Sequence, residues 1–377
     1  MEYRKIEAFG IETSLLGFGC MRFPTDEAGH IMEKEAEQML DIAMDAGVNY
    51  FDTAYPYHDG KSEPFVGKAL KKYERSSFYL ATKLPCWLVN KTEDVRRIFE
   101  EQLSRLQTDY VDFYLLHALN GESFDRMVSL GVIEICEQLK AEGKIKYLGF
   151  SFHDEYESFE RIATWRKWDF CQIQYNYMDT EEQAGDKGYQ LTEKLNLPLI
   201  IMEPVKGGSL ANLPEDIRPI LTAIRPEDSM ASWALRFVGT HTNVKVILSG
   251  MSSKEQVADN LNTFTVFEPL SGREQKAIQE VADAMRRRVQ NGCTGCRYCM
   301  PCPAGVNIPR NFKMWNEYHV YQNKGSLEWG YHHELPDSEK AYNCIKCGKC
   351  EQECPQKIQI RSDLERMNHE IQQLLKG

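Results

Sequence analysis

The sequence predicts an α/β fold: a closed (β/α)8 TIM barrel followed by a small, cysteine-rich helical domain. Three observations carry this reading. Residues 14–262 alternate eight short apolar runs with eight stretches of helical spacing, the count of such a barrel over about 250 residues. A doubly wound open sheet would announce a G-x-G-x-x-G turn after its first strand. Here Gly17-Phe18-Gly19-Cys20-Met21-Arg22 lacks the third glycine and runs on to Pro24. Finally, eight of the 12 cysteines fall beyond residue 290, in two runs that each close on Cys-Pro.

Each element has its own signal. Residues 3–12 are expected to form a hairpin sealing the barrel bottom. Strands are expected at 15–19, 48–53, 78–83, 110–117, 145–151, 170–175, 197–203 and 244–249, each a short apolar run. Ala36, Met39, Leu40, Ala43 and Met44 make an i, i+3, i+4 stripe that ends at Gly47, a C-cap candidate. Val95, Ile98, Phe99, Leu103 and Leu106 make another, behind Thr92 as N-cap candidate. Val257, Ala258 and Leu261 mark the last barrel helix. Residues 271–290 read as a linker helix: Ser271 caps it, Ala277, Val281 and Ala284 give its stripe, and Arg286-Arg287-Arg288 suits the helix dipole at its end. The expected domains are therefore a barrel at 1–268, a linker at 269–290 and a small domain at 291–377.

Composition excludes several functions. The net charge is −11, and residues 1–290 hold 34 Lys+Arg against 46 Asp+Glu. Such an acidic body does not suit nucleic acid, whose phosphates need cationic partners. No apolar run approaches the roughly 20 residues that cross a bilayer, and the start, MEYRKIEAFG, lacks a signal-peptide core. A cytoplasmic location with reduced thiols is expected. Cys136 and Cys171 read as buried thiols.

On this strand map Asp52 ends the second strand, with Tyr57 in the loop behind it. Lys83 ends the third and His117 the fourth. Active sites of such barrels lie at the C-terminal strand ends, so the four groups are expected to be neighbours. Singly, Lys83 reads as a snorkelling lysine, His117 as a core histidine and Tyr57 as a surface aromatic. Jointly they suit carbonyl reduction. A carbonyl that accepts a hydride becomes an alkoxide and needs a proton. Tyrosine is a weak acid, with a free pKa of about 10, and an adjacent ammonium brings it toward the working range. Lys83, held by Asp52, is placed to do this, and His117 to orient the carbonyl oxygen.

The residues that carry this pattern are Phe51-Asp52-Thr53-Ala54-x-x-Tyr57, Ala81-Thr82-Lys83 and Leu115-Leu116-His117. With them go Gly149-Phe150-Ser151, Gln172-Ile173-Gln174-Tyr175-Asn176, Gly250-Met251-Ser252-Ser253, Glu255-Gln256 and Asn260. Over roughly residues 1–265 the chain resembles the aldo-keto reductases. The resemblance implies Tyr57 as general acid, Lys83 and Asp52 as its tuning pair, and His117 at the carbonyl. It also implies NADP or NAD laid across the barrel mouth. Gly19, Cys20, Met21 and Asp52 would approach the nicotinamide ribose, and Ser151 and Gln174 the carboxamide. Pro204 and Val205 would meet the pyrophosphate, and Ser252, Gln256 and Asn260 the adenosine end. Three positions depart from the family: Phe152 follows Ser151 where asparagine is usual, Met202 replaces a stacking tyrosine, and Gln256 replaces an arginine. The last leaves NADP and NAD both open. A pocket of Tyr55, Trp87, Phe150, Phe152 and Tyr175 is expected to favour apolar or aromatic carbonyl compounds.

The cysteine runs read Cys293-x2-Cys296-x2-Cys299-x2-Cys302-Pro303 and Cys344-x2-Cys347-x2-Cys350-x3-Cys354-Pro355. They resemble a two-cluster bacterial ferredoxin, in which the fourth cysteine of each run ligates the other cluster. That implies one [4Fe-4S] cluster on Cys293, Cys296, Cys299 and Cys354, and another on Cys344, Cys347, Cys350 and Cys302. Zinc is the alternative, although it expects paired C-x2-C motifs. Between the runs, 308–321 reads as a helix with Pro309 in its first turn, as in helical ferredoxins. The aromatics Trp315, Tyr318, Tyr321, Trp329 and Tyr331 are expected in the small domain's core and its seam with the barrel. Barrel-plus-ferredoxin proteins form a branch of the same family, which the whole chain resembles. The expected function is NAD(P)-dependent reduction of a small carbonyl compound, with clusters of structural, sensing or electron-transfer role. The alternative is an electron-transfer or redox-sensing protein whose clusters serve a ferredoxin-like carrier.

Overall fold

In the computed structural model, which describes residues 1–376, eight parallel strands close into a barrel. A hairpin of β1 (Tyr3–Ile6) and β2 (Ile11–Ser14) precedes them. The barrel strands are β3 (Leu16–Gly19), β4 (Tyr50–Asp52), β5 (Tyr79–Leu84), β6 (Val111–Leu119), β7 (Ile145–Phe152), β8 (Phe170–Gln174), β9 (Leu199–Met202) and β10 (Val244–Gly250). They pair in chain order, and β10 closes on β3. All eight expected runs are strands.

Buried parallel strands carry apolar side chains on both faces. The inner set is Tyr50, Ala81, Phe113, Leu115, Phe170, Ile200, Val246 and Leu248, with Ile6 of the hairpin packed beneath. Phe9, in the hairpin turn, stacks on Tyr147 at 3.8 Å between ring centroids. Gly17 is required by this core, because a Cβ there would lie 2.5 Å from Val246 Cγ1.

The outer set meets the helices through the expected stripes. Ala36, Met39, Leu40 and Ala43 are buried on helix Glu33–Asp45, which ends at Gly47 with φ +91°. Thr92 is not the cap expected. Its hydroxyl donates to Leu130 O, and the backbone N–H groups of Asn90 and Lys91 donate to the Asp94 carboxylate instead. Ser271 does cap its helix, accepting from the Glu274 N–H while Glu274 reaches back to the Ser271 N–H.

By compactness the chain divides into Met1–Gly208 with Asp228–Gln275, and Ser209–Glu227 with Lys276–Gly377. The second unit is helical. Helix Ile308–Tyr321 has the expected limits, with Asn307 accepting from the Arg310 N–H. It packs with helix Ile360–Leu374 around Phe312, Trp315, Tyr331, Leu364, Met367 and Ile371. Trp329 departs from expectation: it is 58% exposed rather than part of this core. Among the described residues no helix is long and apolar enough to cross a membrane.

Candidate active site

Strand alternation builds the site. Tyr50, Ala81 and Leu115 point into the barrel core, so Asp52, Lys83 and His117, two residues further along the same strands, also point inward, at the mouth. Lys83 Nζ donates to Asp52 Oδ1 at 2.6 Å, to the Thr53 carbonyl at 2.8 Å and to the Tyr57 hydroxyl at 3.4 Å. Tyr57 is brought over by the turn after β4, where its N–H donates to Ala54 O. Its ring lies 6.1 Å from that of His117, edge to face. The four predicted residues meet.

Their electrostatics are set by burial. Lys83 and Asp52 are almost wholly buried. Burial works against the Lys83 ammonium, but Asp52 and Tyr57 outweigh it and hold its pKa above the ordinary value. Burial pushes the Asp52 carboxyl up, with Lys83 pulling the other way. The Tyr57 phenol is also pushed up by burial, and Lys83 offsets this only in part. The sequence expectation of a lowered phenol is therefore corrected: Tyr57 keeps its proton through neutral pH. Burial, then the Lys83 charge, hold the His117 imidazole well below its usual range, so it is neutral.

The residues expected at the cofactor divide. Gly19 ends β3 between Asp52 and Gly250. Cys20 is fully buried, its thiol directed at Phe18 O, while Met21 is 47% exposed at the rim. The Ser151 hydroxyl accepts from the Ala118 N–H at 2.8 Å. Pro204 is buried and Val205 packs on the barrel core. The exposed Gln256 amide accepts from the Ser252 N–H at 2.7 Å. Asn260 is turned inward, donating to Ser249 at 2.9 Å.

Gln174 is already engaged at both ends of its amide. Its amide N–H donates to Asp179 at 2.7 Å, and its oxygen accepts from Gln183. Gln172, on the same inner face of β8, was missed. It is buried, donates to the Met202 sulfur at 3.4 Å and leaves Oε1 without a partner. Unpaired oxygens of this kind are costly, and Asp52 Oδ2 is another at this mouth.

The expected apolar pocket is corrected as well. Phe150 and Phe152 point outward, against Phe159 and Trp168, because Ser151 between them points in. Tyr175 donates to Asp186, and Tyr55 lies against Glu101 and Arg105. Of the five, Trp87 alone stands by the site, 5.2 Å from the His117 ring.

In the second unit Cys293, Cys296, Cys299 and Cys354 line one cavity, walled by Ile308, Phe312, Ile358 and Ile360. Cys302, Cys344 and Cys350 pack on the same apolar core, while Cys296 and Cys347 are exposed. Among the described residues no three Cys, His, Asp or Glu side chains are close enough to hold a single metal ion. A [4Fe-4S] cluster takes its four thiolates around a cavity, which suits this donor set.

A closed parallel barrel whose mouth joins a buried ammonium–carboxylate pair to a phenol defines an oxidoreductase barrel. Residues 15–283 match the aldo/keto reductase family, and the chain belongs to that family. Residues 292–359 match the 4Fe-4S dicluster domain. Among curated proteins the chain is 26% identical to an uncharacterised oxidoreductase, YqkF, of Bacillus subtilis, over 74% of this chain and 96% of that one. It is 27% identical to L-galactose dehydrogenase of Arabidopsis thaliana, over 77% and 96%. An NADH-specific methylglyoxal reductase of Escherichia coli is 26% identical over 64% of this chain and 85% of its own. Among solved structures, the holo form of an aldo-keto reductase from Bacillus halodurans has a TM-score of 0.63 at 29% identity, over 74% and 96%. An aldo-keto reductase from Klebsiella pneumoniae in complex with NADPH has 0.62 at 25%, over 75% and 96%.

Proposed function

We propose that this protein reduces a small aldehyde or ketone by hydride transfer from NADPH or NADH, in the cytoplasm and without a nucleic-acid or membrane partner. The observation that carries the reading is Lys83, which bonds Asp52 at 2.6 Å and the Tyr57 hydroxyl at 3.4 Å in one buried group. The Klebsiella relative in complex with NADPH supports the choice of cofactor. When bound, the nicotinamide supplies the hydride. Tyr57 holds the proton and gives it to the developing alkoxide. Lys83 stabilises the phenolate that Tyr57 becomes, and Asp52 keeps Lys83 charged and in place. The neutral His117 imidazole donates to the carbonyl oxygen. Gln172, rather than Gln174, would hold the carboxamide through its free oxygen. Gly19, Met21 and the peptide of Cys20 would border the ribose, Met202 would cover the ring, and Pro204, Val205, Ser252 and Gln256 would follow the cofactor outward.

The barrel assigned to residues 1–268 carries this chemistry, 269–290 form a linker, and 291–377 hold two [4Fe-4S] clusters. The cavity lined by Cys293, Cys296, Cys299 and Cys354 supports ligation across the two runs. Cys344, Cys347, Cys350 and Cys302 form the second set. With clusters bound, this domain would exchange single electrons with a ferredoxin-like carrier, a role favoured by the exposure of Cys296 and Cys347. The test is anaerobic addition of NADPH or NADH to holoprotein, with and without a panel of aldehydes and ketones. Carbonyl-dependent oxidation of the nicotinamide supports the reductase. Oxidation that tracks only bleaching of the clusters, with no carbonyl consumed, overturns it.

A further inference from the structure

We infer that Ser151 is a positioning residue, whose buried hydroxyl holds a β-bulge directly behind His117 and so fixes the direction of that imidazole. The inference rests on the proposed role of His117 at the carbonyl.

The register of β6 against β7 carries it. Leu116 pairs with Phe150, and the next pair is Leu119 with Phe152. The chain advances three residues on β6 for two on β7. All four of these side chains pack in the outer core, against the helices. Simple alternation would turn Leu119 inward after His117, so one extra residue is needed between them. That residue is Ala118, with φ +54°, where a Cβ is disfavoured. Alanine has no side chain to hold itself there, and the bulge takes its N–H out of the ladder. The Ser151 hydroxyl, 1% exposed and placed opposite the bulge, accepts that N–H at 2.8 Å.

His117 depends on this support. Its Nδ1 is buried and has no hydrogen-bond partner. Its ring stands between Trp87 and Tyr57. The backbone on its N-terminal side is held by the β5 pairing, Leu84 with Leu116, and on its C-terminal side by Ser151. Bulges at barrel rims commonly aim a side chain at an active site.

The test uses full-length holoprotein and five variants: Ser151→Ala, Ser151→Thr, His117→Ala, His117→Ala combined with Ser151→Ala, and Ala118→Gly combined with Ser151→Ala. Hydrogen exchange of the segment 116–119 reads the bulge without reference to activity. Protection lost in Ser151→Ala and retained in Ser151→Thr supports the inference, and unchanged protection overturns it. In kinetics, Ser151→Ala is expected to lower kcat for carbonyl reduction by about tenfold to a hundredfold, a larger effect than any weakening of NADPH, whose carboxamide the same hydroxyl is expected to meet through its own O–H. The loss should vanish in a His117→Ala background, and Ala118→Gly, which accepts positive φ, should recover part of it. A Kd that weakens as much as kcat falls makes Ser151 a cofactor ligand and overturns the positioning role, as does a full loss that persists without His117. A wild-type protein that reduces no carbonyl defeats the proposed function, while the exchange result still decides whether Ser151 holds the bulge.

Discussion

The Lys83 ammonium stands 3.4 Å from the Tyr57 hydroxyl, with its charge already matched by Asp52 on the other side. A fully buried lysine is costly unless paired. This one is paired to a carboxylate and left with one bond directed at a phenol. The arrangement keeps a cation ready for a phenolate that forms only when Tyr57 gives up its proton.

The pH dependence follows from the direction of two shifts. Burial raises the Tyr57 phenol above its ordinary 10.0, and reduction uses the protonated form. The rate should stay level through neutral pH and fall only as pH rises past the raised phenol pKa. Oxidation of the alcohol, which needs phenolate, should climb over the same alkaline range. His117 is held well below 6.5, so no loss from its protonation is expected until pH is well under that value. Profiles of kcat/KM in both directions check this. An alkaline decline in reduction that sets in below pH 9 would contradict it.

Asp52→Asn leaves Lys83 buried without its counter-charge. The barrel should lose about 3–5 kcal/mol of stability, read as a lowered Tm of the barrel transition in anaerobic holoprotein. A shift no larger than that of a surface Asp→Asn control would count against the buried pair.

Gln172→Ala should weaken NADPH binding by about tenfold, because it removes the one unpaired amide oxygen on that face. Gln174→Ala should weaken it far less, since its amide already serves Asp179 and Gln183. Fluorescence titration of NADPH distinguishes the two. The reverse order would return the carboxamide to Gln174.

Cys354 belongs to the second run but lines the cavity with Cys293, Cys296 and Cys299. Cys354→Ser should therefore cost the cluster of the first run, taking iron from about eight to about four atoms per chain. Cys293→Ser should give the same content and the same remaining spectrum. Different remaining spectra for the two variants would argue for ligation within each run.

Much of the fold was legible because buried parallel strands are short apolar runs between turn residues. The site was legible because Asp52, Lys83 and His117 interrupt those runs at their C-terminal ends. The outward direction of Phe150 and Phe152 followed from Ser151 between them, a signal present but unused. Gln172 and Gln174 share one face, and Asp179 and Gln183, folded back onto Gln174, separate them. The raised Tyr57 phenol reflects packing depth, which composition does not report. The bulge at Ala118 has no local signature, since alanine is a poor residue for positive φ. The support lies 33 positions along the chain, at Ser151. Trp329 looked like core by residue type, yet it ends helix Lys324–Trp329 facing solvent.

The central claim, that Tyr57 delivers the proton, is tested most directly by Tyr57→Phe. Single-turnover reduction of a carbonyl substrate by NADPH should slow by about 10²–10⁴-fold, with the NADPH Kd and the iron content unchanged. Turnover kept within about threefold of the wild type, with the same cofactor affinity, would contradict the account.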